Sequence, residues 1–153
     1  MTQRNTAGDD KKAQQWNTSV GLSSWGVDIH AVKRVVIQVN GTTRITNAGG
    51  HDTFRSKTPL LPIALVEVPY EAMTPQANDT TNLLVPVCAS FTHVAFSTYR
   101  LEPQYAIFGA AAGAAAALAV STGASVQEVN VSKLQKVLVA QGQIIKLPVS
   151  SRL

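Results

Sequence analysis

Hydrophobic and polar positions alternate in the first half of the chain and give way to long apolar runs in the second half. The β-branched stretches VVIQV and TTRIT flank Asn40-Gly41. This pair favours the positive φ angles that a two-residue hairpin turn requires. The pattern therefore predicts a β-hairpin with strands at about residues 33–39 and 42–47.

Two further apolar stretches are typical of strands. IALVEVPY at residues 63–70 is short, apolar and followed by a polar loop. NLLVPV at residues 82–87 is apolar without alternation, a pattern that favours a strand buried on both faces of a parallel sheet. QIIKLP at residues 143–148 reads as extended. The small residues of CASFTHVAFSTY predict a loop after the buried strand.

The most unusual stretch lies between Arg100 and Val120, where every residue from 109 to 117 is Gly or Ala. Pro103 suits the first turn of a helix and Gly123 suits its C-terminal stop, so we expect a helix at about residues 102–121. SVQE at residues 125–128 has the spacing of a capping box. The periodic apolar positions of VSKLQKVLVAQ predict a last helix, closed by Gly142.

Three explanations fit a helix with almost no side chains. A membrane span is disfavoured, because the apolar run from Tyr105 to Val120 is shorter than the roughly 20 residues that a span needs. The other two explanations, a closely packed structural helix and a helix pressed against a flat cofactor, both remain open. In either case we expect Gly109, Gly113 and Ala117, one turn apart, to form the face of close contact.

Composition narrows the classes of protein. The 153 residues suit one domain, and the net charge of +4 is scattered without a basic stripe, which argues against nucleic-acid binding. Cys88 is the only cysteine, so an intrachain disulfide is excluded. The first 15 residues lack the apolar core of a signal peptide. Localisation stays unknown, although sequons at Asn17, Asn40, Asn78 and Asn130 permit a secreted parent.

Strands precede helices along the chain, and a single strand–helix unit follows the hairpin. We therefore predict an α/β fold, which is α+β in the part present here: a β-hairpin and strands followed by a βα unit and a terminal helix. One βα unit cannot close a sheet, so the core looks incomplete, and its missing strands must come from elsewhere.

The segment NLLVPVCASFTHVAFSTYRLEPQYAIFGAAAGAAAALAV resembles the C-terminal part of FAD-dependent oxidoreductases with the glutathione-reductase-like fold. WGVDIH, VEVPYEAMTP and VQEVNVSKLQKVLVAQGQII are similar to further segments of that family, in the same order. The resemblance covers about residues 22–147. It implies a disordered or truncated segment at 1–21, part of a substrate-side β-sheet domain at 22–80, and the end of the FAD-binding domain at 81–153.

The resemblance also implies FAD as cofactor and hydride transfer to or from an unidentified organic substrate. The N-terminus of the Gly/Ala helix would face the pyrimidine edge of the flavin. His93 and Arg100 become the candidate catalytic residues, and no metal is implied. The candidate cofactor-binding residues are Cys88, Ala89, Ser90, Arg100, Leu101, Glu102 and Gly109.

Two departures from the family pattern qualify this expectation. No G-x-G-x-x-G string occurs in the sequence, and Glu71 stands where that branch usually has arginine. The chain alone is therefore expected to be inactive. The alternative function is a non-catalytic remnant or interaction module that needs another chain to complete its fold.

Simpler roles stay open for the individual residues. Arg100 can form a salt bridge with a neighbour such as Glu102, and His93 can be a hydrogen-bonded loop histidine. Asp28 and His30 alternate on a possible strand and give a weak signal for a metal pair. Covalent flavin attachment at Cys88 is disfavoured.

Overall fold

The computed structural model describes residues 1, 15–23, 25, 28–29, 33–48, 51–52 and 65–146. The strands in this part of the chain are β1 (Ser19–Ser23), β2 (Asp28–Ile29), β3 (Lys33–Val39), β4 (Thr42–Ala48), β5 (His51–Asp52) and β6 (Val66–Pro69). The α-helices are α1 (His93–Phe96), α2 (Glu102–Thr122) and α3 (Val131–Ala140), with 3-10 turns at Tyr70–Met73 and Val126–Glu128.

The core forms where α2 and α3 pack on the strand pair β1–β6. These two strands are antiparallel, with Gly21 opposite Val68 and Ser23 opposite Val66. Helix α2 contacts β1 and α3, and α3 also contacts β1. The buried apolar side chains that fill this space include Val20, Val68, Tyr70, Phe108, Ala111, Ala115, Leu134 and Leu138.

The predicted hairpin is confirmed. Strands β3 and β4 pair antiparallel from Lys33 opposite Ala48 to Val39 opposite Thr42. The turn residues Asn40 and Gly41 have φ angles of 50° and 74°, as the sequence pattern requires.

Both predicted helices are also confirmed, with their caps. Pro103 lies in the first turn of α2, and Gly123 ends the helix with a φ of 64°. The N–H of Ala124 then donates to the carbonyl of Ala119 at 3.0 Å, which satisfies a terminal acceptor. Asn130 caps the N-terminus of α3, since its side chain accepts from the N–H of Lys133 at 3.0 Å. Ser125 and Glu128 form the predicted capping box.

By length and composition, α2 is also able to cross a membrane. The helix has 21 residues because polar residues at both ends extend it beyond the apolar run from Tyr105 to Val120. Core helices pass the same test, and 28% of the apolar window is buried in the described structure. Length alone therefore does not decide between the two environments.

The predicted parallel strand at residues 82–87 is wrong. Residues 82–87 are irregular, and the three strand pairs among the described residues are all antiparallel. Leu83 and Val87 are 48% and 46% exposed. The N–H of Val85 donates instead to the carbonyl of Met73, at 2.8 Å. An apolar run becomes a strand only when a neighbour offers a ladder of hydrogen bonds, and the described residues offer none here.

The remaining predicted strands are shorter than expected. Strand β6 covers Val66–Pro69 of the predicted 63–70, and residues 63 and 64 lie outside the described part. Residues 143–146 form no strand. The mixed α+β character of the chain is thus confirmed.

The expected close-contact face of α2 is wrong for the chain as described. A Cβ at Gly109 or Gly113 would meet no atom of the described residues within 4 Å, and Gly113 and Ala117 are exposed. The buried face carries Gln104, Phe108, Ala111, Ala112, Ala115 and Ala119. The bulk of Phe108 selects this face, because burying a phenyl ring removes far more apolar area from water than burying alanine.

Glutamine side chains from the end of the chain bind the main chain of β1. The side-chain amide of Gln135 donates to the carbonyls of Asn17 and Ser19 at 2.8 and 2.9 Å. The amide of Gln143 donates to the carbonyl of Val20, and the hydroxyl of Ser19 donates to the carbonyl of Ile145. Three of these four bonds satisfy main-chain carbonyls in or just before β1, and the fourth satisfies the carbonyl of Ile145.

Candidate functional site

An aromatic cluster holds the loop before α2 against the body of the protein. Tyr99 stands at its centre, with its ring stacked on Phe91 at a centroid distance of 4.5 Å and tilted against Phe108 at 4.8 Å. Its hydroxyl donates to the carbonyl of Pro86. Burial raises the pKa of Tyr99, so its hydroxyl keeps its proton and this bond. The cluster thereby fixes the main chain that leads into the helix.

Tyr105 marks the place where several sequence-predicted residues meet. Its ring lies edge-on to Tyr99 at 5.6 Å. Burial raises the pKa of its hydroxyl, the charges of Cys88 and Glu102 raise it further, and the Arg100 guanidinium lowers it. Three predicted site residues therefore lie within electrostatic range of one phenol. Cys88 itself is an exposed free thiol.

The N-terminus of α2 opens at the same place. Leu101 occupies the N-cap position and offers no side-chain cap to the first turn. Its carbonyl accepts from the N–H of Tyr105 at 3.1 Å. Pro103 has no N–H, so the peptide N–H groups of Glu102 and Gln104 remain as donors of the uncapped first turn, at the positive end of the helix dipole.

Gln104 adds an unpaired acceptor to this helix terminus. Its side chain is 5% exposed, yet its Oε1 has no hydrogen-bond partner in the described part of the chain. A buried amide oxygen without a partner costs about 1–3 kcal/mol, and a bound N–H donor would remove that cost. The helix terminus therefore combines peptide N–H donors with a buried amide oxygen that has no partner among the described residues.

The other predicted residues are more dispersed. Ala89 is half-buried against the core. The N–H of Ser90 donates to the carbonyl of Ala72 at 2.7 Å, and Gly109 lies two turns along α2. His93 is exposed at the start of α1, and no described contact joins it to Arg100. The structure thus brings together Cys88, Arg100 and Glu102, with Leu101 at the helix start.

The weak metal signal gains no support from the described residues. Asp28 pairs with Asp52 in the register of β2 and β5, while His30 lies outside the described part. The described residues contain no group of three or more His, Cys, Asp or Glu side chains that could hold a metal ion.

Sequence reasoning missed Tyr105 and Gln104. Tyr105 follows Glu102 by three residues, which places both side chains on one side of the first turn. Gln104 precedes Phe108 by four residues and Ala111 by seven, so it is the polar member of the buried stripe. These spacings are the sequence signals by which Tyr105 and Gln104 could have been found.

Comparison with known proteins gives one family match. A family model described as FAD dependent oxidoreductase matches residues 1–138. No curated protein and no solved structure matches the chain significantly.

Proposed function

Since the chain belongs to the FAD dependent oxidoreductase family, we propose that it is the C-terminal portion of such an enzyme, acting on an organic substrate by hydride transfer at the flavin. The observation that carries this proposal is the uncapped N-terminus of α2 beside the unpaired Oε1 of Gln104. Members of this family depend on FAD, and the residues at this terminus have the polarity that its pyrimidine edge requires.

The chain contributes one wall of the flavin site in this proposal. The free N–H groups of the first turn of α2 would donate to the carbonyl edge of the ring, and Oε1 of Gln104 would accept from its N–H. Residues Cys88 to Ser90, Leu101, Glu102 and Gly109 line the approach to the ring. When bound, FAD supplies the two-electron redox chemistry, while the protein binds and orients it.

Arg100 and His93 have the catalytic roles. The Arg100 guanidinium, which lowers the pKa of Tyr105, provides positive charge for the substrate or for the electron-rich edge of the ring. The exposed imidazole of His93 is able to exchange a proton with solvent and substrate.

The rest of the cofactor site lies outside this sequence. FAD is anchored mainly through its pyrophosphate, which a glycine-rich turn before a helix binds. The 153 residues contain no G-x-G-x-x-G string. We assign residues 22–80 to the substrate-side sheet domain and residues 81–153 to the end of the FAD-binding domain.

A specific observation favours the alternative of a non-catalytic module that another chain completes. Gly113, Ala117 and Val120 leave one face of α2 exposed, with Val120 at 84%. Leu83 and Val87 are exposed in the irregular segment before it. Apolar surface of this kind is normally covered by a further layer of structure.

The decisive experiment separates flavin binding by this chain from binding by a completed protein. The purified chain is mixed with excess FAD, passed over a gel-filtration column and examined by visible spectroscopy. We expect far less than one flavin per chain, because one wall must offset an association cost of about 4–15 kcal/mol. A one-to-one complex in a monomer would overturn the assignment as a C-terminal portion.

A version completed with the family's dinucleotide-binding half tests the enzyme against the alternative. If the completed protein binds one flavin per chain and a substrate reduces that flavin, the result supports the enzyme hypothesis. A completed fold that binds no flavin supports the non-catalytic module.

A further inference from the structure

A small cavity lies at the start of β1, beside the 3-10 turn that follows β6. Its volume is about 280 Å³, and its walls include Trp16, Thr18, Pro69, Glu71, Ala72 and Ser90. Pockets for drug-sized ligands and cofactors have about 300–1,000 Å³. The cavity is thus too small for FAD and has the size for a ligand of a few heavy atoms.

The walls of this cavity are rich in hydrogen-bond acceptors. Glu71 contributes a carboxylate, and among the described lining residues there is no Lys, Arg or His. The hydroxyl of Thr18 donates to Oε2 of Glu71 at 2.7 Å, which fixes the direction of the carboxylate. An ionised carboxylate has about four acceptor positions, so most of its capacity is left for a ligand.

One cation already lies against this wall. The Met1 ammonium group lines the cavity and donates to the main-chain carbonyl of Ser90 at 2.7 Å. The main-chain geometry of the wall therefore accommodates a primary ammonium group.

The lining of the cavity also contains apolar side chains. Trp16 is half-buried, and Pro69 and Ala72 are buried. Alkyl chains pack favourably on such surfaces, and an indole ring also attracts a nearby ammonium group by about 0.5–2 kcal/mol.

We propose that this cavity binds a small alkylammonium cation, with its ammonium on Glu71 and its alkyl chain on Trp16, Pro69 and Ala72. The site goes beyond the proposed flavin chemistry, because it needs neither FAD nor the N-terminus of α2. Ser90 is the one residue that it shares with the candidate flavin wall.

The test is a titration of the 153-residue chain with n-butylammonium chloride, with n-butanol at the same ionic strength as the neutral probe. The sequence has two tryptophans, Trp16 and Trp25, so the two indole N–H signals in an NMR spectrum are assigned with the Trp25→Phe variant. We expect a saturable shift of the Trp16 signal with n-butylammonium, and a much weaker response to n-butanol. Equal responses to the two probes, or no saturable shift of Trp16, would overturn the proposal.

Two charge-matched variants locate the cation. Glu71→Gln keeps an acceptor for Thr18 and removes the charge, so we expect n-butylammonium to bind roughly five- to tenfold more weakly. Asp79→Asn removes an equal charge from an exposed loop that does not line the cavity, and it should bind like the wild type. Unchanged affinity in Glu71→Gln, or equal losses in both variants, would remove Glu71 from the site.

Discussion

Gly21 and Ile107 approach so closely that no side chain fits between strand β1 and helix α2. A Cβ at Gly21 would lie 2.8 Å from Cγ2 of Ile107 and 3.0 Å from Cε1 of Phe108. Real Cβ atoms essentially never come within 3.0 Å of a neighbour. The close helix contact of this protein therefore depends on a glycine of the strand, while the helix supplies the larger side chains.

Gly21→Ala should destabilise the chain by about 1–3 kcal/mol, since the added methyl group overpacks the contact with Ile107. The free energy of unfolding in urea is the measurement. Gly113→Ala is the matched control: it adds the same methyl group where no atom of the described residues lies within 4 Å. The control should stabilise by up to about 1 kcal/mol, as alanine favours the helix. Equal stability of Gly21→Ala and wild type would mean that β1 and α2 move apart freely.

Gly113→Leu should have different effects in the 153-residue chain and in the completed flavoprotein. In the 153-residue chain Gly113 is exposed, so a leucine there should leave the melting temperature nearly unchanged. In the completed protein we propose that this face is covered, and the same leucine should lower both flavin content and melting temperature. Wild-type values for both in the completed protein would show that the face stays in solvent.

Arg100→Ala and His93→Ala should slow flavin reduction in the completed enzyme while its fold is kept. Arg100 supplies positive charge beside Tyr105, and His93 supplies an exposed proton-exchanging group. Stopped-flow absorbance of the flavin is the measurement, and Lys136→Ala, on the exposed side of α3, is the control. Reduction rates equal to the control for both variants would leave these residues with structural roles alone.

Tyr70 should make the stability of the chain sensitive to alkaline pH. Burial raises its pKa from 10.0 to about 12, with a smaller contribution from the charge of Glu71. The neutral phenol is favoured in the folded state, so its contribution is complete below pH 10 and is lost as the pH rises towards 12. The phenol donates to the carbonyl of Val126 at 2.7 Å.

Tyr70→Phe tests this assignment. It should cost about 1–3 kcal/mol at pH 7, because the carbonyl of Val126 is left without its donor. It should also reduce the loss of stability between pH 10 and 12, measured by urea unfolding across that range. A variant that loses stability as steeply as the wild type would place the alkaline transition at another group.

Local chemistry made part of this fold predictable. Asn40-Gly41 specifies its hairpin, and Pro103 and Gly123 delimit α2, because positive φ and a missing N–H act within a few residues. The apolar run at residues 82–87 gave no such guide, since its structure depends on a strand partner elsewhere. The face of α2 was equally hidden, because alanine surrounds the helix and gives no periodicity.

The residues of the candidate site were likewise predictable only in part. Cys88, Arg100 and Glu102 were expected together, since they flank the start of one helix. Tyr105 and Gln104 were missed because their importance comes from burial and from an absent partner, which only the packed structure shows.

The glutamine contacts on β1 determine when the hydrogen bonds of this strand can form during synthesis. Gln135 and Gln143 follow their acceptors Ser19 and Val20 by 116 and 123 residues. A ribosome therefore releases β1 long before the side chains that satisfy it exist. Contacts of such sequence separation are formed late and slowly. The nascent strand lacks these donors on this side until Gln135 and Gln143 have emerged, and an unpaired strand is prone to aggregation and chaperone binding during that interval.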